Sequence, residues 1–233
     1  MGRQIKGLLY FFIADVRYSL TIFWTILMGI LVVSLTVAYF LTDLENGFMT
    51  LSLTGPMYVY CAILGFLMVK DSVPFSIGVG ATRKNLFISL GVFFLGLSLV
   101  KAVAASIIQI LVNLFNAKAG MDTFMFLHLA YFTEDTWLTR IFIDTSIMFL
   151  SLSTLFVFGL LFYKYGLAGG GSVVGVIVIL FLTGIAQGWL IDFFIDIFQS
   201  IDMMLFGKLL VLGIVIYGFS MLLLRRITIV KAK

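Results

Sequence analysis

Few residues in this 233-residue chain have side chains able to do chemistry, and they fall into short registers rather than one constellation. Lys101, Ala105, Gln109 and Asn113 recur every four positions within an otherwise apolar stretch, so they share one face of a helix. An ionisable group in such a setting usually faces a bundle interior or a water-filled path. The stripe Lys101, Gln109, Asn113 would then line a translocation path or a subunit seam. The alternative is a snorkelling lysine with Gln109 and Asn113 already among lipid headgroups. Asp192, Asp196 and Gln199 stand at i, i+4 and i+7 in WLIDFFIDIFQSID, with aromatic and aliphatic residues on the other side. Asp192 and Asp196 suit a short outer gate helix that turns its carboxylates to water. Arg140 and Asp144, four apart, read as a local ion pair. A single cysteine, Cys61, excludes an intramolecular disulfide, and a single histidine, His128, leaves no second imidazole for a zinc or haem site within the chain.

The elements that must position these residues follow from composition. The chain is 62% hydrophobic and 11% charged, with a mean hydropathy of +1.19. A soluble domain carries about 25% charged residues. These values exclude a soluble enzyme, a disordered tail and a nucleic-acid-binding domain, despite a pI of 9.2. Apolar runs are continuous rather than alternating, which excludes a β-barrel. The expected fold is an all-α polytopic membrane protein with six transmembrane helices in one domain. The spans are 20–41, 51–69, 86–112, 141–163, 167–190 and 203–224, since about 20 apolar residues cross a bilayer.

Basic residues orient the spans. With both termini in the cytoplasm, the inner side holds Arg3, Lys6, Arg17, Lys70, Arg83, Lys84, Lys164, Arg225, Arg226, Lys231 and Lys233, against only Asp15 and Asp71. The nine remaining acids, among them Asp43 and Glu45, then fall in the outer half.

Four segments are not simple spans. Residues 3–18 place Leu8, Leu9, Phe12, Ile13 and Val16 at helical spacing and predict an N-terminal interfacial helix. Residues 70–85, KDSVPFSIGVGATRKN, read as a basic turn in which Pro74 starts a short helix, Gly78 and Gly80 allow a sharp return, and Thr82 caps the next helix. Phe75, Ile77 and Val79 are too apolar for a solvated turn and predict packing on a partner. Residues 113–140 are rich in aromatics and predict a short helix at the outer interface, with Tyr131, Trp137 and His128 near headgroup depth. Residues 189–202 predict the outer helix carrying Asp192 and Asp196. Glycines at 166, 169, 170, 171 and 175 open the fifth span and favour close packing or a bending point.

No P-loop, HExxH or G-x-S-x-G occurs, and no buried acid–base dyad can be assembled. The chain is therefore expected to be no enzyme and to carry no cofactor or metal.

The layout, and the run Val73-Pro74-Phe75-Ser76-Ile77-Gly78-Val79-Gly80-Ala81-Thr82-Arg83-Lys84, resembles the small permease (membrane) subunits of bacterial type-2 ABC exporters. The resemblance implies a pair of permease subunits, as homodimer or heterodimer, in a bacterial cell membrane. It implies docking of a cytoplasmic ATP-binding subunit through Pro74, Phe75, Ile77, Val79, Thr82 and Arg83, with ATP and magnesium held in that partner. The cargo would be lipophilic or amphipathic: a peptide, an antibiotic or a lipid. A non-transporting membrane scaffold or sensor and a stand-alone secondary carrier or channel are the competing readings. Membrane lipids are partners in all three, and nucleic acid in none.

Overall fold

A computed structural model describes residues 2–42 and 47–225. Asp43, Glu45, Arg226, Lys231 and Lys233 lie outside the described residues. Six α-helices account for nearly all of them: α1 (Gly2–Leu41), α2 (Thr54–Gly78), α3 (Arg83–Ala119), α4 (Trp137–Ala186), α5 (Trp189–Gln199) and α6 (Met203–Arg225). Five of these, all but α5, are long and apolar enough to cross a membrane. The architecture is that of an all-α membrane protein.

Local chemistry sets the helix ends. The Thr82 side chain accepts from Asn85 N at 3.2 Å and caps α3, as expected. Thr136 and Thr139 form a reciprocal capping box at the start of α4. Gly120 closes α3 in a left-handed conformation, its N–H bonded to Asn116 O. Gly80, at φ 80°, makes the α2–α3 turn.

Three expectations are corrected. Residues 3–18 form no separate interfacial helix: they are the first half of an unbroken α1, about 60 Å long at 1.5 Å per residue. Leu8, Phe12 and Val16 are buried in the bundle, and the Phe12 ring lies 5.7 Å from that of Phe93 in α3. An apolar stripe at helical spacing suits lipid and neighbouring helices equally, and here the neighbours take it. Pro74 does not start a helix but lies inside α2, which runs past the expected end of its span. The segment before α4 is not an interfacial α-helix either. It forms strand β2 (Phe124–Phe126) and a 3₁₀ turn (Leu129–Phe132), and β2 pairs in parallel with β1 (Met49–Leu51). This two-stranded pair and the 3₁₀ turn make a cap over the end of the bundle opposite the N terminus.

The expected fourth and fifth spans run together as α4, interrupted only at Gly166 (φ 67°, ψ −168°). That backbone is open to glycine and strained for other residues. The helix bends sharply there: a Cβ on Gly170 would sit 2.5 Å from the Phe162 ring, although residues eight apart on a straight helix are separated by about 12 Å. Along 167–186 only Gly170 and Gly184 are buried, so this arm presents its apolar side chains outward.

The core lies between α2, the first arm of α4, α6 and α3. Glycines set the closest approaches. A Cβ on Gly65 would meet Leu152 O at 2.4 Å, one on Gly159 would meet Phe66 O at 2.9 Å, and one on Gly213 would meet Leu150 Cα at 3.2 Å. Close helix contact at small residues is the usual way apolar helices associate in lipid. Phe94, Phe149, Phe156 and Phe87 pack around Tyr217 of α6, whose hydroxyl donates to Phe87 O.

Candidate functional site

Three places bring chemistry-bearing side chains together. The first is the α2–α3 turn at the end carrying the N terminus. Gln4 Nε2 of α1 donates to Gly80 O at 3.0 Å, and the Asn85 side-chain amide donates to Gln4 Oε1. The Phe11 and Phe75 rings stack at 4.1 Å. Thus α1 holds the turn from one side. Phe75 nevertheless stays 47% exposed and Val79 61% exposed, while Ile77 and Pro74 are half-buried against the bundle. Thr82 is used by its helix cap, and Arg83 opens α3. Arg3, Lys6 and Lys84 are exposed around the same end. The turn therefore offers a fixed apolar knob with a basic surround.

The second place is the bundle interior at Lys101. This residue sits at the midpoint of α3, about 27 Å from either end at 1.5 Å per residue, and is 1% exposed. Its Nζ lies 3.8 Å from the centre of the Tyr60 ring and 4.2 Å from that of Phe23. It has no hydrogen-bond partner among the described residues. The side chain lies between rings of α1 and α2 and does not reach for a helix end. Of the remaining stripe, Gln109 is buried and Asn113 is exposed, so the three residues do not line a single surface.

The third place lies under the cap, and residue spacing did not reveal it. Asp144 of α4 is 1% exposed. Its Oδ1 accepts from Tyr58 OH of α2 at 2.5 Å and lies 3.2 Å from His128 Nε2. His128 Nδ1 accepts from Ala130 N at 2.9 Å, which leaves the imidazole proton on Nε2, facing the carboxylate. His128 is thus buried, not at the interface, and it ties the cap to the bundle. Arg140 does not pair with Asp144 as expected. Its Nε and Nη2 donate to the two oxygens of Asp135 at 2.6 and 2.7 Å, and its Nη1 donates to Gln109 Oε1 at 2.9 Å. The Arg140 guanidinium holds the Asp135 carboxyl below the usual carboxylate range. The acidic cluster was hard to foresee because Tyr58 and Asp144 are 86 positions apart; the lone buried-type acid one turn inside a span was its only trace.

Asp192 and Asp196 lie on α5, a helix where expected, and both are exposed. Cys61 is buried and free. Among the described residues no group of three or more His, Cys, Asp or Glu side chains is placed to hold a metal ion.

No family model, no curated protein and no solved structure matches this chain.

Proposed function

We propose that the chain is the permease subunit of an ABC exporter, working as a pair with a second permease subunit. A separate cytoplasmic ATP-binding subunit would hold the nucleotide and magnesium. The observation that carries this reading is the α2–α3 turn. An apolar knob, Phe75 and Val79, is left exposed at a basic end while α1 clamps the turn behind it. Exposed aromatic and aliphatic anchors on a rigid support are what a docking site needs. A rigid turn also transmits force: a push on Val79 reaches α2, α3 and α1 together. The end bearing this turn would be cytoplasmic, in accord with its lysines and arginines. The cargo would be lipophilic or amphipathic, since the described interior offers few charges. The test is affinity purification from the native membrane in mild detergent, with wild type and Val79→Asp side by side. Near-equimolar recovery of a P-loop protein with wild type, and its loss with the variant, supports the reading. Recovery of the chain without any P-loop protein removes it.

A stand-alone carrier is the second reading, favoured by one observation: Tyr58, His128 and Asp144 bring exchangeable protons together inside the bundle. Transport driven by a proton gradient in vesicles holding only this chain would select it.

A further inference from the structure

At the capped end, a surface groove of about 340 Å³ opens between the last turns of α3 and the start of α4. Its floor is Ile110 and Leu114, both exposed. Its rim is Asn113, Asp135, Trp137 and Arg140. Nothing in the proposed transport cycle uses it. The polar groups are arranged in depth. Arg140 lies behind, 10% exposed at its side chain, with three nitrogens already committed to Asp135 and Gln109. Asp135 stands in front, 26% exposed. The first charge that a ligand meets is a carboxylate. Beside it are the Asn113 amide and the Trp137 indole, the latter 57% exposed.

We propose that this groove is a binding site for the headgroup of a phospholipid with a primary ammonium, of the phosphatidylethanolamine type. The ammonium would donate to the outward lone pairs of Asp135 and to the Asn113 carbonyl oxygen, and rest on the face of Trp137. The phosphate, four bonds along the headgroup from the ammonium nitrogen, would lie against the Asn113 amide N–H and the spare N–H groups of Arg140. The site as a whole is neutral, an Arg–Asp pair, which matches a zwitterion and opposes a net anion. A quaternary choline could use the indole but would donate no hydrogen bond. The acyl chains would run down the exposed apolar side of α3, past Ile110 and Ile107. That continuity with an apolar face points to a membrane lipid and not a soluble amine. The groove is of the size that holds a small ligand, and indole rings at the end of a bundle are typical of headgroup depth.

The test is native mass spectrometry of the full chain released from nanodiscs of equal parts phosphatidylethanolamine, phosphatidylcholine and phosphatidylglycerol. The ethanolamine lipid should be retained about threefold to tenfold over the other two: the hydrogen bonds of its ammonium discriminate against choline, and the cation–π contact adds to them against the glycerol headgroup, which carries no cation. The pair Asn113→Ala with Trp137→Ala should weaken that preference, since only the Asp135 contact to the ammonium then remains. Both side chains are exposed and leave the Arg140–Asp135 pair in place, so the variant keeps its fold, which its melting temperature verifies. Equal retention of the three lipids by wild type, or a preference undiminished in the double variant, overturns the site. Soluble phosphoethanolamine in excess should not displace the lipid; displacement at millimolar concentration would reassign the groove to a small amine and overturn the lipid assignment.

Discussion

Replacing Lys101 with methionine should make the protein more stable and less active. The lysine is 1% exposed at the middle of α3, with no anion and no hydrogen-bond acceptor on its Nζ among the described residues. Burying an ammonium costs several kcal/mol even after the surroundings relax. Against that stand two rings, Tyr60 at 3.8 Å and Phe23 at 4.2 Å, each returning about 0.5–2 kcal/mol. The balance is unfavourable to the lysine by about 1–3 kcal/mol. Methionine has nearly the same length and flexibility, keeps the aromatic contacts through sulfur, and carries no charge. At about 2–4 °C per kcal/mol for a chain of this size, the variant should melt about 2–12 °C higher. The assay is a fluorescence melt in detergent, run beside a transport assay in inverted vesicles with the proposed ATP-binding partner present. A residue retained at a cost to stability is expected to serve function, so transport should fall while expression stays normal. A lower melting temperature would refute the reasoning, because it would mean that the ammonium has a stabilising partner. Higher stability with unchanged transport would leave the energetics intact and remove the functional role.

Three further outcomes follow from the packing and the cap. Gly65→Ala should destabilise by about 1–3 kcal/mol, since its methyl would meet the Leu152 carbonyl oxygen at 2.4 Å, whereas Gly96→Ala, with nothing within 4 Å, should be neutral or stabilising; thermal melts of the two compare them directly. Tyr58→Phe removes one hydrogen bond to Asp144 and should cost about 1–2 kcal/mol, while Asp144→Ala leaves the buried Tyr58 hydroxyl without its acceptor and takes the carboxylate from beside His128, and should cost about 2–3 kcal/mol; a smaller effect at Asp144 than at Tyr58 would contradict the cluster. The Asp135 carboxyl is held low by Arg140, so its contribution to stability is present above the ordinary carboxylate pKa of about 4 and is lost as pH falls below it. Being partly exposed, the pair should contribute under about 1 kcal/mol, seen as a shallow drop in melting temperature below pH about 4 that Asp135→Asn flattens.

What was legible in the sequence was whatever depends on neighbours along the chain. Continuous apolar runs fixed the helices, Thr82 announced its cap, and the 189–202 pattern announced α5. What was not legible depends on which neighbour a side chain finds in space. Leu8, Phe12 and Val16 make the same stripe whether they face lipid or α3, so an interfacial helix and a bundle helix read alike. Arg140 has Asp135 and Asp144 at nearly equal sequence distance; the capping box at Thr136 turns the chain so that the earlier carboxylate meets the guanidinium fork. Asp144 is thereby left for Tyr58 and His128, from two other elements. Pro74 reads as a helix start because it lacks an N–H, yet interior proline is tolerated where neighbouring helices support the freed carbonyl. The exposed knob was legible as an anomaly, three apolar residues in a basic turn, although Ile77 proves to be half-buried and Val79 exposed.

The β1–β2 pair sets a schedule for the nascent chain. Met49 and Phe124 are partners in one ladder, yet some 75 residues of polypeptide, including α2 and α3, separate them. Parallel strands whose loops follow α1 and α3 can meet only if both loops have been delivered to the same side, which requires an even number of crossings between them. At about 5–20 residues per second, the first strand waits roughly 4–15 s on the ribosome for the second. During that wait its backbone edge is bare, and α1 and α2 are joined by a loop with no partner. Only when residue 126 has emerged can the cap close, and only after Asp144 follows can His128 be pinned beneath it. A chain stalled in α3 would therefore present an open-ended hairpin to quality control, and a chain released after α4 begins would not.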